Sequence, residues 1–413
     1  MLDRFFTHPP TLHYMRAGGA GPFLDGFAKV LFEEGYVRTS GGLVLRAAHH
    51  VGVWAGRRSI GLADLDDAAL ARFERHLPRC RCGHTKRPHK GYGDTPPGSR
   101  RFLRYLREAG VAPCAPVAIR PEVVDEYRAW MRDRQGLAEA TIATRLPVVE
   151  ALLRTASDDP AMLDAAGVRK FVLTYVRRHA PGSAGRVTSA VRGFLRYLVA
   201  QSLCPAGMVD AVPTIPSWKQ ARLPQYLAAD EVERIIAGCD HGGRAAKRDR
   251  AMLLLLARLG VRAGDVRALR VDDLDWKRGR LRLVGKGRRE TYLPLPQDVG
   301  DAILGYLEQR PAAATDHVFL LVRAPFRPVS AGALKNAVTN AIRRAGVQAP
   351  SYGPHLLRHS LATRMLREGA TLDLIGAVLR HRNVSTTALY SKVDVELLKQ
   401  IAQPWPGHEV SPC

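Results

Sequence analysis

The C-terminal part of the sequence contains side chains that could act together on a phosphodiester. In chain order they are Arg262, Lys286, His355, Arg358, His381 and Tyr390. His355 and Arg358 are three residues apart on an expected helix, so they share one helix face and can reach a single phosphate. Arg262 follows an apolar, helical segment, and Lys286 is expected at the tip of a β-hairpin.

These residue types fit phosphoryl transfer without a metal ion. Two arginines can neutralise the phosphate oxygens as charge builds up in the transition state. A tyrosine hydroxyl, with a free pKa of about 10, is a weak nucleophile until a neighbour accepts its proton. Histidine is suited to that exchange near neutral pH, and a lysine can protonate the leaving 5′ oxygen. The sequence contains neither a convincing carboxylate cluster for two-metal catalysis nor a GxxxxGK(S/T) loop, so no cofactor is expected.

The ordered set Arg, Lys, His-x-x-Arg, His, Tyr resembles the catalytic core of the tyrosine recombinases, also called phage-type integrases. The resemblance covers about residues 120–400. It implies that Arg262 is the first arginine of the family's set and that Lys286 is its hairpin lysine. His355 and Arg358 match the His-x-x-Arg pair, His381 matches the His/Trp position, and Tyr390 matches the nucleophile. Asp265 matches the acidic residue that usually supports the first arginine. Arg380 stands where the family usually has glycine.

The resemblance implies a site-specific recombinase or integrase, or the transposase of a mobile element. Tyr390 would form a 3′-phosphotyrosyl link and release a 5′-OH, and a 5′-OH of a partner duplex would then reverse the bond. Four protomers would assemble on two double-stranded DNA sites, with a Holliday junction between the two exchanges and accessory recombinases as further partners. Two alternatives stay open: a type IB topoisomerase, which has nearly the same active site, and a DNA-binding protein with a vestigial site. Two N-terminal helical modules and a short C-terminus favour the recombinase.

The composition points to a polyanionic partner. The chain has 413 residues with 62 Lys+Arg against 39 Asp+Glu, a formal net charge of +23, and basic residues occur in every third of it. A folded protein this basic most often binds nucleic acid. The six cysteines are too few and scattered for a disulfide framework. With no signal pattern and no apolar run long enough to span a bilayer, we expect no membrane contact and a cytoplasmic, nucleoid-associated protein. The heavy use of Ala, Arg and Gly favours a GC-rich genome and hence a bacterium.

Two proline-rich breaks, near residues 110–121 and 212–224, divide the chain into three expected domains. These are an N-terminal helical module at 1–112, a helical domain at 118–212 that resembles the family's SAM-like core-binding domain, and a catalytic domain at 222–413. The expected fold class is mainly α, with a small β-hairpin or sheet in the catalytic domain (α+β). The first two domains look like copies of one unit, because Phe-Leu-Arg-Tyr-Leu occurs at both 102–106 and 194–198.

The catalytic domain mixes both periodicities. Residues 280–284 and 290–295 alternate around a glycine-containing turn and predict the hairpin. Helices are predicted at 229–236, 250–259, 330–345, 355–368, 372–379, 385–390 and 395–403. The last of these has an apolar stripe that must be buried. In the resembling family the corresponding terminal helix docks on a neighbouring protomer, and docking on its own domain is the alternative.

The N-terminal module is expected to bind DNA as well. Its candidate phosphate contacts are a basic helix face and a basic loop, formed by Arg100, Arg101 and Arg104 and by Lys86, Arg87 and Lys90. The loop also holds Cys80, Cys82, His84 and His89, which are close enough in sequence to bind zinc. Their C-x-C-x-H-x₄-H spacing fits no standard finger. The favoured interpretation is therefore a basic loop without a metal.

Overall fold

The structure, a computed structural model, describes residues 1–80, 95–114, 120–179, 181–215, 224–239, 243–285, 290–381 and 384–390. The chain divides into two compact units, one formed by residues 1–115 with 223–413 and the other by residues 116–222. Helices dominate, and the described residues form one three-stranded antiparallel sheet in the catalytic part. The expected fold class is confirmed. In the described ranges, no helix is long and apolar enough to cross a membrane.

The N-terminal part of the first unit contains five helices: α1 (Pro9–Ala17), α2 (Gly21–Glu33), α3 (Arg38–Gly56), α4 (Asp67–His76) and α5 (Thr95–Glu108). Asp66 is the N-cap of α4, because its side chain accepts a hydrogen bond from the Ala69 N–H at 2.6 Å. The module has its own core, in which the rings of Trp54, Phe73 and Phe102 are almost fully buried.

The second unit contains four helices: α6 (Glu122–Asp133), α7 (Glu139–Leu153), α8 (Ala165–Arg177) and α9 (Ala184–Ala200). Its pattern parallels that of the N-terminal module. In each, the first long helix ends before a glycine with positive φ, at Gly35 (+82°) and Gly136 (+59°). α2 packs on α3 and α3 on α5, just as α6 packs on α7 and α7 on α9. Phe102 in α5 and Phe194 in α9 are both fully buried, which agrees with the predicted repeat.

The catalytic part surrounds one central helix. Its helices are α10 (Ala229–Ala237), α11 (Arg244–Arg258), α12 (Ala263–Ala268), α13 (Gln297–Leu307), α14 (Ala331–Arg344), α15 (Pro354–Arg367), α16 (Leu372–Val378) and α17 (Val384–Thr387). α11 packs against α13, α14 and α15, and residues 251–257 of α11 are all buried. The predicted helices in this range are present, with ends shifted by a few residues. α17 ends earlier than expected, three residues before Tyr390.

The sheet has the order β1 (Leu274–Asp275), β2 (Arg280–Val284), β3 (Glu290–Pro294), with antiparallel pairing throughout. The β2–β3 pair is the predicted hairpin, in register from Arg280 opposite Pro294 to Val284 opposite Glu290. β1 was not predicted, because two residues are too few to show alternation. The tip of the hairpin, with Lys286, and the predicted helix at 395–403 lie outside the described residues.

Candidate active site

Two arginines join the turn after α11 to the turn after α16. Arg358, in α15, is only 6% exposed and donates hydrogen bonds from Nη1 to the Gly260 carbonyl and from Nη2 to the Leu379 carbonyl, the latter at 2.5 Å. Arg262, which precedes α12, donates from Nη2 to the Arg380 carbonyl at 2.5 Å. The two turns therefore hold both guanidinium groups in place before any substrate is bound.

Gly260 permits this close approach. Its φ is +55°, in the left-handed region, and an added Cβ would lie 2.6 Å from Leu379 Cδ2 and 2.8 Å from Leu361 Cδ2. Any side chain here would push α15 and the turn at Leu379 away from α11. The hydrogen bond between Arg358 and the Gly260 carbonyl depends on that proximity.

Arg380, which departs from the family's usual glycine, also has a left-handed backbone, with φ of +53°. The turn provides hydrogen-bond donors for carbonyl groups at the end of α16, because Arg380 N–H donates to the Ala377 carbonyl and His381 N–H donates to the Gly376 carbonyl. A non-glycine residue in this region costs about 1–2 kcal/mol. An ion pair between Arg380 Nη2 and Asp265 Oδ2, at 2.5 Å and nearly buried, opposes that cost.

Asp265 supports Arg262 indirectly. Its Oδ2 accepts a hydrogen bond from the backbone N–H of Arg262 at 3.1 Å, which fixes the start of α12. The ion pair of the same carboxylate is with Arg380 and not with the Arg262 guanidinium.

The site has an excess of positive charge. Burial, followed by the charge of Arg262, lowers the pKa of Arg358 to about 10. Arg380 adds to this repulsion and Asp265 opposes it, so three guanidinium groups face one carboxylate. Among the residues that the structure describes, these four groups leave a net charge of two positive units, which is suited to an anion such as a phosphate.

Tyr390 is buried beside these charges, with 1% of its surface exposed. Its ring belongs to a small apolar cluster with Leu361, Ala362, Ile375 and Leu379. Its hydroxyl lies 2.7 Å from Nδ1 of His359. Burial raises the pKa of Tyr390 to about 12, so the phenol is protonated at neutral pH.

The three histidines of the site are all biased towards the neutral form. The pKa of His381 is lowered to about 4 by burial and then by Arg358 and Arg262. Desolvation also lowers the pKa of His355 and of His359. His381 contacts the Thr387 hydroxyl at 2.8 Å through Nδ1, and its ring is parallel to that of Tyr390 with the centroids 6.3 Å apart. Neutral imidazoles can accept a proton from the phenol.

The structure brings five of the six sequence-predicted catalytic residues together: Arg262, His355, Arg358, His381 and Tyr390. Lys286 lies outside the described residues. Sequence reasoning gave no role to His359, Arg380 or Thr387. The position of His359 directly after Arg358 was a usable signal, and Arg380 was visible as a departure, whereas nothing distinguished Thr387.

Two of the arginines predicted to contact DNA in the N-terminal module form ion pairs with carboxylates of the protein itself. Arg100 forms a two-pronged ion pair with Glu74, with both contacts at 2.7 Å. Arg101 pairs with Glu34 and has 15% of its side chain exposed, so a phosphate would compete with a carboxylate there. Arg104 is exposed. Lys86, Arg87, Lys90, Cys82, His84 and His89 lie outside the described residues.

A tyrosine beside two arginines and three histidines, on a helical scaffold with a small antiparallel sheet, is the arrangement expected of a DNA strand-transfer enzyme of the tyrosine type. The model of the phage integrase family matches residues 225–396. A putative integrase/recombinase of Sinorhizobium fredii, y4rA, is 36% identical over 402 residues, which cover 94% of this chain and 95% of the relative.

Two solved structures share the fold at 17% identity. The XerH recombinase bound to palindromic difH substrate in a post-cleavage complex has a TM-score of 0.55 and covers 84% of this chain and 98% of its own. A lambda integrase tetramer bound to a Holliday junction has a TM-score of 0.51, and the match covers 70% of this chain and 80% of the integrase chain. The chain belongs to the phage integrase family, the tyrosine recombinases, and is a site-specific recombinase that cuts and rejoins DNA strands. This favours the predicted function over a topoisomerase or a vestigial site.

Proposed function

We propose that Tyr390 is the nucleophile of strand cleavage and that Arg262 and Arg358 hold the scissile phosphate. The observation that carries the proposal is the excess of two positive charges next to a tyrosine hydroxyl. Arg358 is only 6% exposed and is repelled by Arg262, so its charge is poorly compensated in the free protein. A phosphodiester placed between the two guanidinium groups supplies the missing negative charge.

The reaction consists of two transesterifications. The Tyr390 oxygen attacks the phosphorus, the bond to the 5′ oxygen breaks, and Lys286 gives that oxygen its proton. The phenol proton passes to a neutral histidine, for which His355 and His381 are the sequence-derived candidates. In the second step a 5′-OH of the partner duplex attacks the phosphotyrosine and releases Tyr390. One phosphoester bond is exchanged for another in each step, so ATP is unnecessary.

The structure corresponds to a resting arrangement of the nucleophile. The Tyr390 hydroxyl is held by His359 and nearly all of the residue is inaccessible to solvent. Attack on DNA requires that oxygen to leave Nδ1 of His359 and to reach the phosphorus of the bound phosphodiester.

Peptide mapping of the trapped intermediate tests the assignment. A duplex nicked close to the cleavage position loses its short fragment after attack, so the covalent adduct accumulates. Digestion with a protease followed by mass spectrometry should find the DNA on the peptide that contains Tyr390. Attachment to another tyrosine or to a serine would contradict the proposed mechanism.

We also propose that the modules at 1–112 and 118–212 both bind the DNA duplex, together with the catalytic domain at 222–413. The matching helix order and the net charge of +23 support this. Removal of residues 1–112 should shorten the footprint and flatten the salt dependence of binding, since each phosphate contact adds about 0.9 to the log–log slope. An unchanged footprint and slope would make the first module an interaction domain.

Assembly into a tetramer on two DNA sites completes the proposal, with accessory recombinases as further partners and a cytoplasmic, nucleoid-associated location. The fold is shared with a lambda integrase solved as a tetramer, and the sequence beyond Tyr390 has an apolar stripe at Val395, Leu397, Leu398 and Ile401. Deletion of residues 394–413 should weaken tetramer formation more than binding to one site. Unchanged assembly by native mass spectrometry would contradict a role between protomers.

A further inference from the structure

Three side chains of the N-terminal module, far from the catalytic residues in sequence, place nitrogen and sulfur atoms at one point. His50 lies in α3, His76 is the last residue of α4, and Cys80 follows the short 3₁₀ turn Leu77–Arg79. One ligand atom from each lies within 4.8 Å of the other two. Cys80 Sγ lies 3.3 Å from His50 Nε2.

This spacing is close to that of a tetrahedral metal site. Zinc bound at about 2.0–2.1 Å by nitrogen and about 2.3 Å by sulfur has ligand atoms roughly 3.3–3.6 Å apart. The Cys80–His50 distance already fits. The separations from His76 are at most 4.8 Å, so they need a closure of no more than about 1 Å, which rotation of the His76 and Cys80 side chains can provide, since both residues are only partly buried.

The surroundings fix the orientation of the histidine rings. His50 is 7% exposed and makes an edge contact with Phe73, with centroids 5.0 Å apart. The rings of His50 and His76 are 5.4 Å apart, and Trp54 lies 6.3 Å from His76. An aromatic wall of this kind limits the conformations of both imidazoles and reduces the entropy lost when an ion binds.

The donor set selects the metal. Two imidazoles and a thiolate suit zinc and its spectroscopic substitute Co²⁺, whereas magnesium and calcium require oxygen ligands. We propose that His50, His76 and Cys80 bind a zinc ion, with the Cys80 thiol losing its proton to the solvent. The ion joins α3 to the end of α4 where the basic segment 79–90 begins.

The proposal replaces the interpretation drawn from sequence, in which Cys80 was considered only together with Cys82, His84 and His89. The structure places Cys80 beside two histidines that precede it by 30 and 4 positions. It does not depend on the catalytic assignment, because the metal is inferred to hold the module together and not to take part in strand cleavage.

Metal titration of the untagged, full-length protein tests the site. After dialysis against EDTA and then metal-free buffer, the protein should bind one equivalent of Zn²⁺ and its thermal midpoint should rise by several degrees. Co²⁺ should give the visible absorption of a tetrahedral thiolate complex. Each of H50A, H76A and C80S should lower the zinc affinity at least about tenfold. The matched controls H13A and C114S, which change an exposed histidine and an exposed cysteine, should bind zinc as the wild type does.

Two results would overturn the site. One is a wild-type protein that retains less than about a tenth of an equivalent of zinc. The other is full binding by H50A and H76A together with loss in C82S and H84A, which would assign the metal to the segment after Cys80. Because truncation of the buried His50 could unfold the module, X-ray absorption at the zinc edge of the wild type gives an independent readout. It should show two imidazoles and at least one sulfur, and fewer than two imidazoles would contradict the proposal.

Discussion

Replacing Tyr390 with phenylalanine removes one oxygen atom from the centre of the site and nothing else. The ring keeps its contacts with the apolar cluster, including Leu361 and Leu379. His359 Nδ1 loses its 2.7 Å contact with the hydroxyl, so that a half-buried ring nitrogen is left without this hydrogen-bond partner. The loss of one such hydrogen bond costs about 1–3 kcal/mol. A catalytic domain of this size should therefore show a midpoint lower by a few degrees.

The chemical effect should be far larger than the effect on stability. Without the phenol oxygen no phosphotyrosyl bond can form, so the nicked suicide substrate should give no adduct on a denaturing gel. Gel-shift affinity for an uncut site should stay within a factor of about two. Tyr306→Phe is the matched control, because Tyr306 is 1% exposed in the same domain and its hydroxyl accepts one hydrogen bond, from Leu320 N–H at 3.2 Å.

The comparison separates chemistry from folding. Tyr306→Phe should lose a similar amount of stability and still form the adduct. An adduct with Tyr390→Phe would show that another residue is the nucleophile. Loss of the adduct in both variants would mean that cleavage is sensitive to any weakening of the domain, and the inference from Tyr390 alone would fail.

Further consequences concern the neighbours of the nucleophile. Arg262→Ala and Arg358→Ala should each slow single-turnover cleavage on the order of 10²-fold or more, because each removes a charge that stabilises the transition state. Lys286→Ala should slow cleavage of a normal substrate but not of one with a 5′-phosphorothiolate leaving group; no rescue would exclude the general-acid role. Cleavage of a saturating suicide substrate should persist in EDTA, and a loss reversed by magnesium would contradict the mechanism. Since the pKa of His381 is lowered to about 4, the unfolded chain binds its proton first, so stability should fall as the pH drops from about 6.5 towards 4. Urea titrations should show a shallower fall for His381→Ala.

The sequence predicted the elements that have strong periodicity. The β2–β3 hairpin and the helix that holds His355 and Arg358 appear almost as expected, since alternation and helical spacing are local properties. The spacing also predicted which residues share a face of α15. The two-residue strand β1 could not be predicted, because its pairing with β2 depends on a partner strand and not on its own pattern.

The long-range side-chain contacts within the active site could not be predicted from the sequence. The Tyr390–His359 contact joins residues 31 positions apart, and the Arg380–Asp265 ion pair joins residues 115 positions apart. Both depend on how α12, α15 and the turn after α16 pack. The cluster of His50, His76 and Cys80 was missed because His50, in α3, is 30 positions from Cys80, although His76, only four positions before Cys80, could have been found locally.

The charges of the site match the transition state of the reaction better than either stable state. The substrate phosphodiester and the phosphotyrosyl intermediate each carry one negative charge, whereas a five-coordinate phosphorus carries about two once the phenol proton has left. Arg262, Arg358 and Arg380 less Asp265 supply two positive charges. In the free protein this excess is unfavourable, since the charge of Arg262 adds to the effect of burial in lowering the pKa of Arg358. That cost is relieved most when the charge on phosphorus is greatest, and an interaction that is strongest in the transition state is the kind that accelerates a reaction. Because the two stable states bear the same charge, this match of charges by itself stabilises neither of them over the other.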